Sequence, residues 1–568
     1  RSFRMRRTAV LLLALLACAC ASSPAGQSSI TLAQLADEHR QHALENSVTA
    51  RAELGLPIER LPDPSYAQAE RDAQFARTML ERIAMVDASR LSDDDRITLA
   101  ILRDLQDEAI DAVPYFWLRF PVTPYSSPIR SVNAALAMMP LTNDEEIARY
   151  TKILGEYATF IDRITAVVQE QRRRGILVPK AEIPIARTLF TSAPLAARSD
   201  APAVREAIAT NVDPAFARLA AVFDESYVAA APEAVGLAQY PGGTEAYRWL
   251  VRKHTTLDLS PEEIHQLGLD EVARIDREMA QVRATIGFTG TKAEFQQQLR
   301  RDPRLFAKTP DEIGERLTKY MHAIQPHLPT YFARQPHALY GVKRLSPALE
   351  PAMTFGYYQA PTSTDPMGYY LYNGSKLEER SLLFAAALMA HELAPGHHFQ
   401  IATQIENDKL PMFRRKSYQT AFVEGWGEYS ASLAREMGLY DADPYDLYGR
   451  LMMDMILSVR LVVDTGMNHL GWSRDRAMAY MREHTLLGET EIATESLRYS
   501  VDIPGQALAY KIGSLRIMDL RRRTERELGA KFDIAQFHEW VIGSGSMPLR
   551  VLDETVARKA AANYATRR

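Results

Sequence analysis

Three of the chain's 13 histidines lie in one short stretch, residues 390–400, beside a carboxylate and a helix breaker. The stretch reads Ala-His-Glu-Leu-Ala-Pro-Gly-His-His-Phe-Gln. The preceding residues 381–390 are almost all apolar and rich in strong helix formers, which predicts a buried helix. Burying the side chains of His391 and Glu392 at its end costs free energy unless something pairs with them. A divalent metal ion would supply that pairing, whereas a single histidine on an apolar helix is usually a hydrogen-bonded core residue.

The spacing of these histidines departs from the common zinc-protease signature His-Glu-x-x-His, in which two imidazoles lie one helical turn apart and the Glu acts as a base. Here the fourth residue after His391 is Pro395, and the next histidines are His397 and His398. A regular helix would turn His397 roughly 120° away from His391, and would leave His398 roughly 10 Å along the axis. Proline followed by glycine favours a helix bulge. A bulge that absorbs two residues presents His397 as the second ligand, which we favour, and one that absorbs three presents His398.

A third ligand is expected in the stretch Thr-Ala-Phe-Val-Glu-Gly-Trp-Gly-Glu-Tyr at residues 420–429. A helix predicted over 420–437 places Glu424 and Glu428 one turn apart on the same face. Either carboxylate could coordinate, and Glu428 could instead hydrogen-bond a ligating imidazole. Two imidazoles and one carboxylate suit Zn²⁺ better than Mg²⁺.

Two later residues could contact a substrate. Arg498 could receive a carboxylate through two parallel hydrogen bonds, and Tyr510 could donate to an oxyanion. Packing roles for both are equally open. Arg460 and Asp464 lie one turn apart in an apolar helical stretch; they could form a structural ion pair, which we favour, or part of the cleft.

The elements around these residues are mostly helical. Three-to-four spacing of apolar residues runs from about residue 31 onward, and Ser92 and Ser260 are typical helix N-caps. Residues 340–373 differ, because aromatic residues alternate there with Gly and Pro, which predicts short strands in a small sheet. A strand just ahead of the metal helix could pair with an extended peptide, or could simply form a hairpin.

The N-terminus has the features of an export signal. A basic segment at 1–8 precedes an apolar core at 9–17 that is too short to span a membrane, which predicts a signal peptide over 1–20. Leu-Leu-Ala-Cys at 15–18 resembles a bacterial lipobox, so Cys18, or else Cys20, is the expected site of lipidation; ordinary cleavage would release a soluble protein. Residues 21–30 read as a tether. The expected location is the cell envelope, periplasm or outer membrane, with a lipid anchor as the only membrane attachment.

The composition excludes some classes of protein. The net charge is −4 and 46% of residues are hydrophobic, so nothing indicates a nucleic-acid partner. The only two cysteines lie within the first 20 residues, so the folded part has no disulfide bonds.

Three motifs together resemble a known family. They are His-Glu-x-x-Pro-Gly-His-His-x-Gln at 391–400, Glu-Gly-Trp-x-x-Tyr at 424–429 and Pro-Gly-Gln-Ala-Leu-Ala-Tyr-Lys-Ile-Gly at 504–513. The likeness is to a large bacterial family of domains of unknown function, with many lipoproteins among its members, that is grouped with the zincin-like metallopeptidases. The order of motifs is also distantly similar to thimet oligopeptidase and angiotensin-converting enzyme. Phe-Val-Glu at 422–424 is similar to the segment that carries the third ligand in the former, which implies Glu424 rather than Glu428.

The expected fold is therefore a large, mainly α, two-lobed zincin-like metallopeptidase with a small sheet beside the active-site helix. Residues 31–340 would form a helical lobe and 341–568 the metal-binding catalytic lobe. The expected activity is zinc-dependent hydrolysis of short peptides. The alternatives are an inactive lipoprotein that binds peptides or metal, and a non-peptide amidase.

Each candidate residue has an expected role in that activity. The metal ligands are His391, His397 and Glu424. Glu392 would be the general base, Tyr510 would stabilise the oxyanion and Arg498 would bind the substrate.

Overall fold

The computed structural model describes residues 31–347, 350, 355–362 and 365–566. The predicted signal peptide, Cys18, Cys20 and the tether lie outside these residues. Among the described helices, none combines the length and the apolar composition that a membrane crossing needs.

Helices make up most of the structure. Those that precede the sheet are α1 (Leu32–Asn46), α2 (Val48–Glu53), α3 (Tyr66–Ile83), α4 (Asp93–Asp111), α5 (Pro128–Ala137), α6 (Asp144–Arg173), α7 (Ile183–Arg187), α8 (Ala193–Ala196), α9 (Pro202–Ala207), α10 (Asp213–Val222), α11 (Glu225–Ala230), α12 (Gly243–Thr255), α13 (Pro261–Ile286), α14 (Lys292–Leu299), α15 (Pro310–Ile324) and α16 (Leu328–Tyr331). Those that follow it are α17 (Ala385–Glu392), α18 (His397–Glu406), α19 (Met412–Arg415), α20 (Thr420–Glu436), α21 (Pro444–Asn468), α22 (Arg474–His484), α23 (Glu489–Leu497), α24 (Leu508–Leu528), α25 (Ile534–Ile542) and α26 (Leu549–Thr566).

The helix starts follow the capping signals in the sequence. Ser92 accepts a hydrogen bond from the backbone N–H of Asp95 at the start of α4. At the start of α13, the Ser260 side chain and Glu263 form a reciprocal capping box, with Pro261 at the first helical position. The mainly helical fold predicted from the sequence is confirmed.

A small three-stranded sheet lies between α16 and α17, as predicted. Its strands are β1 (Tyr340–Arg344), β2 (Gly356–Gln359) and β3 (Gly368–Tyr372), in the order β1-β3-β2. The central strand β3 runs parallel to β1 and antiparallel to β2. The predicted division into two lobes at residue 340 stays a prediction.

Two large apolar cores hold the helices together. One contains buried side chains from α6, α10, α13 and α21, and the other contains buried side chains from α15, α17, α20 and α24 to α26. Within the second core, α20 and α24 touch through Gly425 and Gly513. A Cβ atom added at Gly513 would collide with the carbonyl oxygen of Ala421, and one at Gly425 would collide with the Gly513 backbone. Glycine at both positions therefore permits the close approach of these two helices.

Candidate metal centre

The helix that carries the opening motif is interrupted between His391 and His397. α17 ends at Glu392 and α18 begins at His397, so the predicted bulge within one helix is wrong. Pro395 lacks the N–H that would continue the helical ladder, and its carbonyl oxygen accepts hydrogen bonds from Trp426 Nε1 (2.9 Å) and Ser430 Oγ (3.2 Å) on α20. A Cβ atom at Gly396 would collide with the carbonyl oxygen of His391, so the turn needs glycine there. This turn therefore places the end of α17 next to the start of α18.

The side chains predicted as metal ligands converge at this point. His391 Nε2 lies 3.1 Å from His397 Nε2 and 3.6 Å from Glu424 Oε2. His397 Nε2 lies 3.3 Å from the same Glu424 oxygen. All three residues are buried, and among the described residues they form the cluster of His, Cys, Asp and Glu side chains that could hold an ion. Bonds of about 2.0–2.1 Å to tetrahedral zinc give ligand atoms about 3.3 Å apart, so the three distances bracket the spacing that zinc requires.

The neighbouring His398 points away from this cluster. Its Nε2 donates to the carbonyl oxygen of Ala338 (2.9 Å), and its Nδ1 accepts from the hydroxyl of Tyr358 on β2 (3.0 Å). Burial lowers the pKa of His398 to about 4, in keeping with a neutral imidazole in this tautomer. The structure therefore leaves His397 as the second histidine of the cluster, and His398 attaches α18 to the sheet.

Glu428, the alternative third ligand, lies behind the cluster. His391 Nδ1 donates to Glu428 Oε1 at 2.8 Å, which leaves Nε2 facing His397 and Glu424. The other Glu428 oxygen lies 3.3 Å from Arg450 Nη1 on α21. Burial favours the neutral carboxyl, but the charge of Arg450 and the bond from His391 outweigh it and lower the pKa of Glu428. Its position is that of a carboxylate that orients a ligating imidazole.

His391 is held by both carboxylates. Burial disfavours its charged form, but hydrogen bonds to Glu424 and Glu428 outweigh that effect and raise the pKa of His391 to about 10. A Cβ atom at Gly427 would lie 2.8 Å from the His391 ring, so glycine leaves room for the imidazole against α20. The ring is thus fixed by charge on one side and by close packing on the other.

A buried ion-pair network continues from Arg450 toward α13, and no motif in the sequence predicts it. Arg450 and Lys511 both neutralise Asp454, whose carboxylate lies 2.6 Å from Lys511 Nζ and 3.0 Å from Arg274 Nη2. Lys511 also pairs with Glu271 at 2.7 Å. This network joins the helices that surround the site, α13, α20, α21 and α24. Because its charges are buried, the loss of one would leave its partner without a compensating charge.

Glu392 stands beside the cluster without being part of it. Within the described part of the chain its carboxylate makes no hydrogen bond or ion pair, and its side chain is partly exposed. Burial raises the pKa of Glu392, although the charges of His397 and His391 oppose that rise. A carboxylate in this position is free to exchange a proton with a small molecule at the cluster.

Two tyrosines flank Glu424. Tyr418 donates to Glu424 Oε1 at 2.6 Å, and 53% of its surface is exposed. Sequence reasoning missed Tyr418, because a tyrosine in a loop just before a helix carries no signature. Tyr510 is partly exposed on α24, and burial together with the charge of Glu424 raises its pKa. The Tyr510 hydroxyl therefore stays protonated and can donate a hydrogen bond.

The predicted pairing of Arg460 with Asp464 is wrong. Arg460 Nη2 lies 3.2 Å from Glu495 Oε2, whereas Asp464 accepts hydrogen bonds from Tyr247 OH (2.6 Å) and from the Gly505 N–H (3.1 Å). Arg498, the candidate substrate-binding residue, also bonds Glu495 through Nη1 at 3.2 Å. Both arginines therefore meet at one carboxylate close to Tyr510.

Two solved structures have the same fold as this chain. The chain superposes on a "putative lipoprotein" from Colwellia psychrerythraea with a TM-score of 0.87 and 25% identity, over 94% of this chain and 99% of that one. A "putative lipoprotein of unknown function" from Shewanella oneidensis gives a TM-score of 0.73 at 16% identity, over 93% of this chain and 100% of that one, and shows the shared fold. A search of curated proteins found no match. The model of the family described as "Bacterial protein of unknown function (DUF885)" matches residues 49–556, and the chain belongs to that family.

Proposed function

We propose that this protein is a zinc-dependent hydrolase that cleaves peptide bonds in short peptides. The observation that carries the proposal is the triangle of His391 Nε2, His397 Nε2 and Glu424 Oε2, with edges of 3.1, 3.3 and 3.6 Å. The acid that follows the first histidine, Glu392, lies beside this triangle, and its carboxylate has no hydrogen-bond or ion-pair partner among the residues that the structure describes. Three protein ligands and one open position are the usual composition of a catalytic zinc site.

The donor set fits zinc on chemical grounds as well as by distance. Two imidazoles with one carboxylate form the borderline-soft set that zinc accepts and magnesium does not favour. The hydrogen bond from His391 Nδ1 to Glu428 keeps the Nδ1 proton behind the ring, so Nε2 is the nitrogen that faces the centre and would bind zinc in place of its own proton. When bound, zinc would lower the pKa of a water molecule toward about 7 and polarise a substrate carbonyl.

The chain's own groups would then divide the proton transfers. Glu392 takes a proton from the attacking water at its carboxylate oxygen and later passes it to the leaving amine. Tyr510 lies on α24 near Glu424, and its protonated hydroxyl donates to the substrate carbonyl oxygen, which gains negative charge during the reaction. β2 lies at the edge of the sheet, and Tyr358 connects it to α18, so an extended substrate can pair with it. The residues of the triangle are buried among helices, which favours short peptides over folded proteins as substrates.

We also propose a lipid anchor in the cell envelope. The lipobox-like segment at 15–18 supports this, and so does the likeness to the Colwellia psychrerythraea protein described as a "putative lipoprotein". Lipidation of one cysteine would hold the folded part at a membrane surface through the tether at 21–30.

The test is the Glu392→Gln variant, loaded with zinc and compared with wild type on a library of short peptides. The variant should retain zinc at one equivalent and lose at least about 10²-fold in kcat, because glutamine cannot accept the proton. Glu378→Gln, an exposed acid outside the cluster, is the matched control and should match wild type.

Other outcomes identify the competing functions. Full activity in Glu392→Gln would remove Glu392 as the base. A protein that binds zinc and peptides but cleaves none would be a binding lipoprotein, and one that cleaves only non-peptide amides would be an amidase.

A further inference from the structure

Two arginines near the candidate centre share a single carboxylate. Arg460 Nη2 and Arg498 Nη1 each lie 3.2 Å from an oxygen of Glu495. Only 16%, 13% and 14% of the Arg460, Arg498 and Glu495 side chains are exposed. The cluster therefore holds two positive charges and one negative charge in a recess, where an uncompensated charge is costly.

The hydrogen bonds of Glu495 are already taken by its neighbours. Glu495 Oε2 accepts hydrogen bonds from the Tyr499 hydroxyl and from Arg460 Nη2. The Tyr499 oxygen in turn accepts a hydrogen bond from Arg460 Nε at 2.7 Å. Arg498 Nη2 donates to Gln506 Oε1 at 2.8 Å. Arg460 Nη1 and the buried Arg498 Nε have no hydrogen-bond partner among the described residues. Because Arg498 Nε is buried, the donors open to a further anion are those of Arg460 Nη1, beside the net positive charge of the cluster.

The recess adjoins the candidate metal centre through Tyr510. The Arg460 guanidinium carbon lies 5.0 Å from the centre of the Tyr510 ring, and the charge of Glu424 acts on the Tyr510 hydroxyl. Arg460, Arg498 and Tyr510 are all partly exposed, whereas Tyr499 beneath them is buried. Tyr510 therefore neighbours both groups, the Arg460 guanidinium at its ring and the Glu424 charge at its hydroxyl.

Tyr125 contributes an outer wall to the same recess. The Arg498 guanidinium carbon lies 5.1 Å from the centre of its ring, and 41% of the Tyr125 surface is exposed. Its backbone N–H is held at 3.0 Å by the carboxylate of Asp502. An aromatic ring beside the guanidinium shields it from water, which strengthens its attraction for an anion.

We propose that Arg460 and Arg498 bind a carboxylate of the substrate, so that the substrates of this protein are short peptides that present a free carboxylate near the scissile bond. This inference rests on the proposed hydrolytic function. Because Tyr510 neighbours both the arginines and Glu424, a carboxylate bound by the arginines would lie about two residues of extended peptide, at about 3.3 Å each, from the candidate centre. The carboxylate is either the free C-terminus, close behind the scissile bond, or an acidic side chain near it.

The main experiment changes the peptide and leaves the protein intact. Zinc-loaded wild type is assayed on one peptide sequence in three forms: with a free C-terminus and neutral side chains, with an amidated C-terminus, and amidated with one Glu side chain. Loss of the bound carboxylate should raise KM about tenfold or more, which corresponds to about 1.4 kcal/mol. Preference for the free C-terminus assigns the site to the α-carboxylate, and preference for the Glu peptide assigns it to a side chain.

Equal kinetics on all three peptides would overturn the carboxylate site while leaving the hydrolytic function in place. If no form is cleaved, the hydrolytic function fails, and calorimetric titration of the same peptides into wild type still decides the site. Equal affinities of the acid and the amides would then refute it, and tighter binding of a carboxylate form would support it.

Arg498→Lys supplies the second arm. Lysine keeps the charge that faces Glu495 but loses the planar fork, so the ratio of kcat/KM for acid over amide peptide should fall toward one. Arg476→Lys, an exposed arginine stacked on Trp472, is the control and should keep the wild-type ratio. An unchanged ratio in a folded Arg498→Lys protein would contradict the proposal, and if that variant does not fold, the peptide comparison on wild type decides.

Discussion

Glu428 Oε1 accepts a hydrogen bond from His391 Nδ1 at 2.8 Å, so the carboxylate one helical turn beyond Glu424 faces the back of the imidazole. Arg450 lies 3.3 Å from the other Glu428 oxygen and keeps that carboxylate ionised in a buried setting. The two acids of α20 thus occupy different positions, Glu424 at the triangle and Glu428 behind it. The predicted effects of substituting Glu428, His397 and His398 on zinc binding depend on this arrangement.

Glu428→Gln should weaken zinc binding about 10- to 100-fold without removing the site, the usual effect of losing a carboxylate behind a ligating histidine. Glutamine still accepts the bond from His391 but lacks the negative charge. Zinc affinity is measured by competition with a chromogenic chelator. Glu436→Gln, an exposed position on the same helix, is the control, and equal affinities in the two variants would show that Glu428 does not support the centre.

His397→Ala should abolish stoichiometric zinc binding, whereas His398→Ala should retain it, because only the first imidazole faces His391 and Glu424. The two variants are matched, since they are adjacent and both buried. His398→Ala should lose about 1–3 kcal/mol of stability, because Ala338 and Tyr358 lose a buried hydrogen-bond partner. Metal analysis after dialysis gives the stoichiometry. Retention of zinc by His397→Ala and its loss from His398→Ala would reverse the assignment.

Glu182 should make the stability of the fold depend on pH. It is 1% exposed, its Oε2 has no partner within the described residues, and burial together with the charge of Asp502 raises its pKa to about 8, although Arg474 opposes the rise. Because this folded-state pKa exceeds that of the unfolded chain, its contribution to stability is complete below about pH 4.5. That contribution is lost as the pH rises through 8, by up to roughly 4 kcal/mol.

The comparison of Glu182→Gln with wild type isolates this effect. Urea unfolding at pH 5 and pH 8.5 should show a steeper loss of unfolding free energy in wild type than in Glu182→Gln. Glu206→Gln, an exposed acid, should follow wild type. Parallel pH profiles for Glu182→Gln and wild type would exclude Glu182 as the cause.

The convergence of His391, His397 and Glu424 could be predicted because few arrangements place histidine and glutamate on apolar helices without a shared partner. Their role as zinc ligands stays a prediction. The form of the break could not be predicted, because the path of Pro395 is set by Trp426 and Ser430, which lie on another helix.

The partners of buried charges were the least predictable feature. Helical spacing favoured Arg460 with Asp464, but α12 and the start of the 504–513 motif supply Tyr247 and Gly505 to Asp464, which leaves Arg460 to Glu495. Such pairings depend on which helices become neighbours, and local sequence patterns do not contain that information. The mainly helical fold and the small sheet were predictable because they depend on periodicity within each segment.

The contact between Gly425 and Gly513 has a mechanical consequence. A slide or rotation of α20 against α24 would bring a residue with a side chain to this contact, where even a Cβ atom would collide with the opposite backbone. Glu424 lies on one of these helices and Tyr510 on the other, within one turn of the contact. We therefore expect Glu424 and Tyr510 to move together as one rigid unit in any motion that opens the site, and the hinge for that motion to lie elsewhere in the molecule.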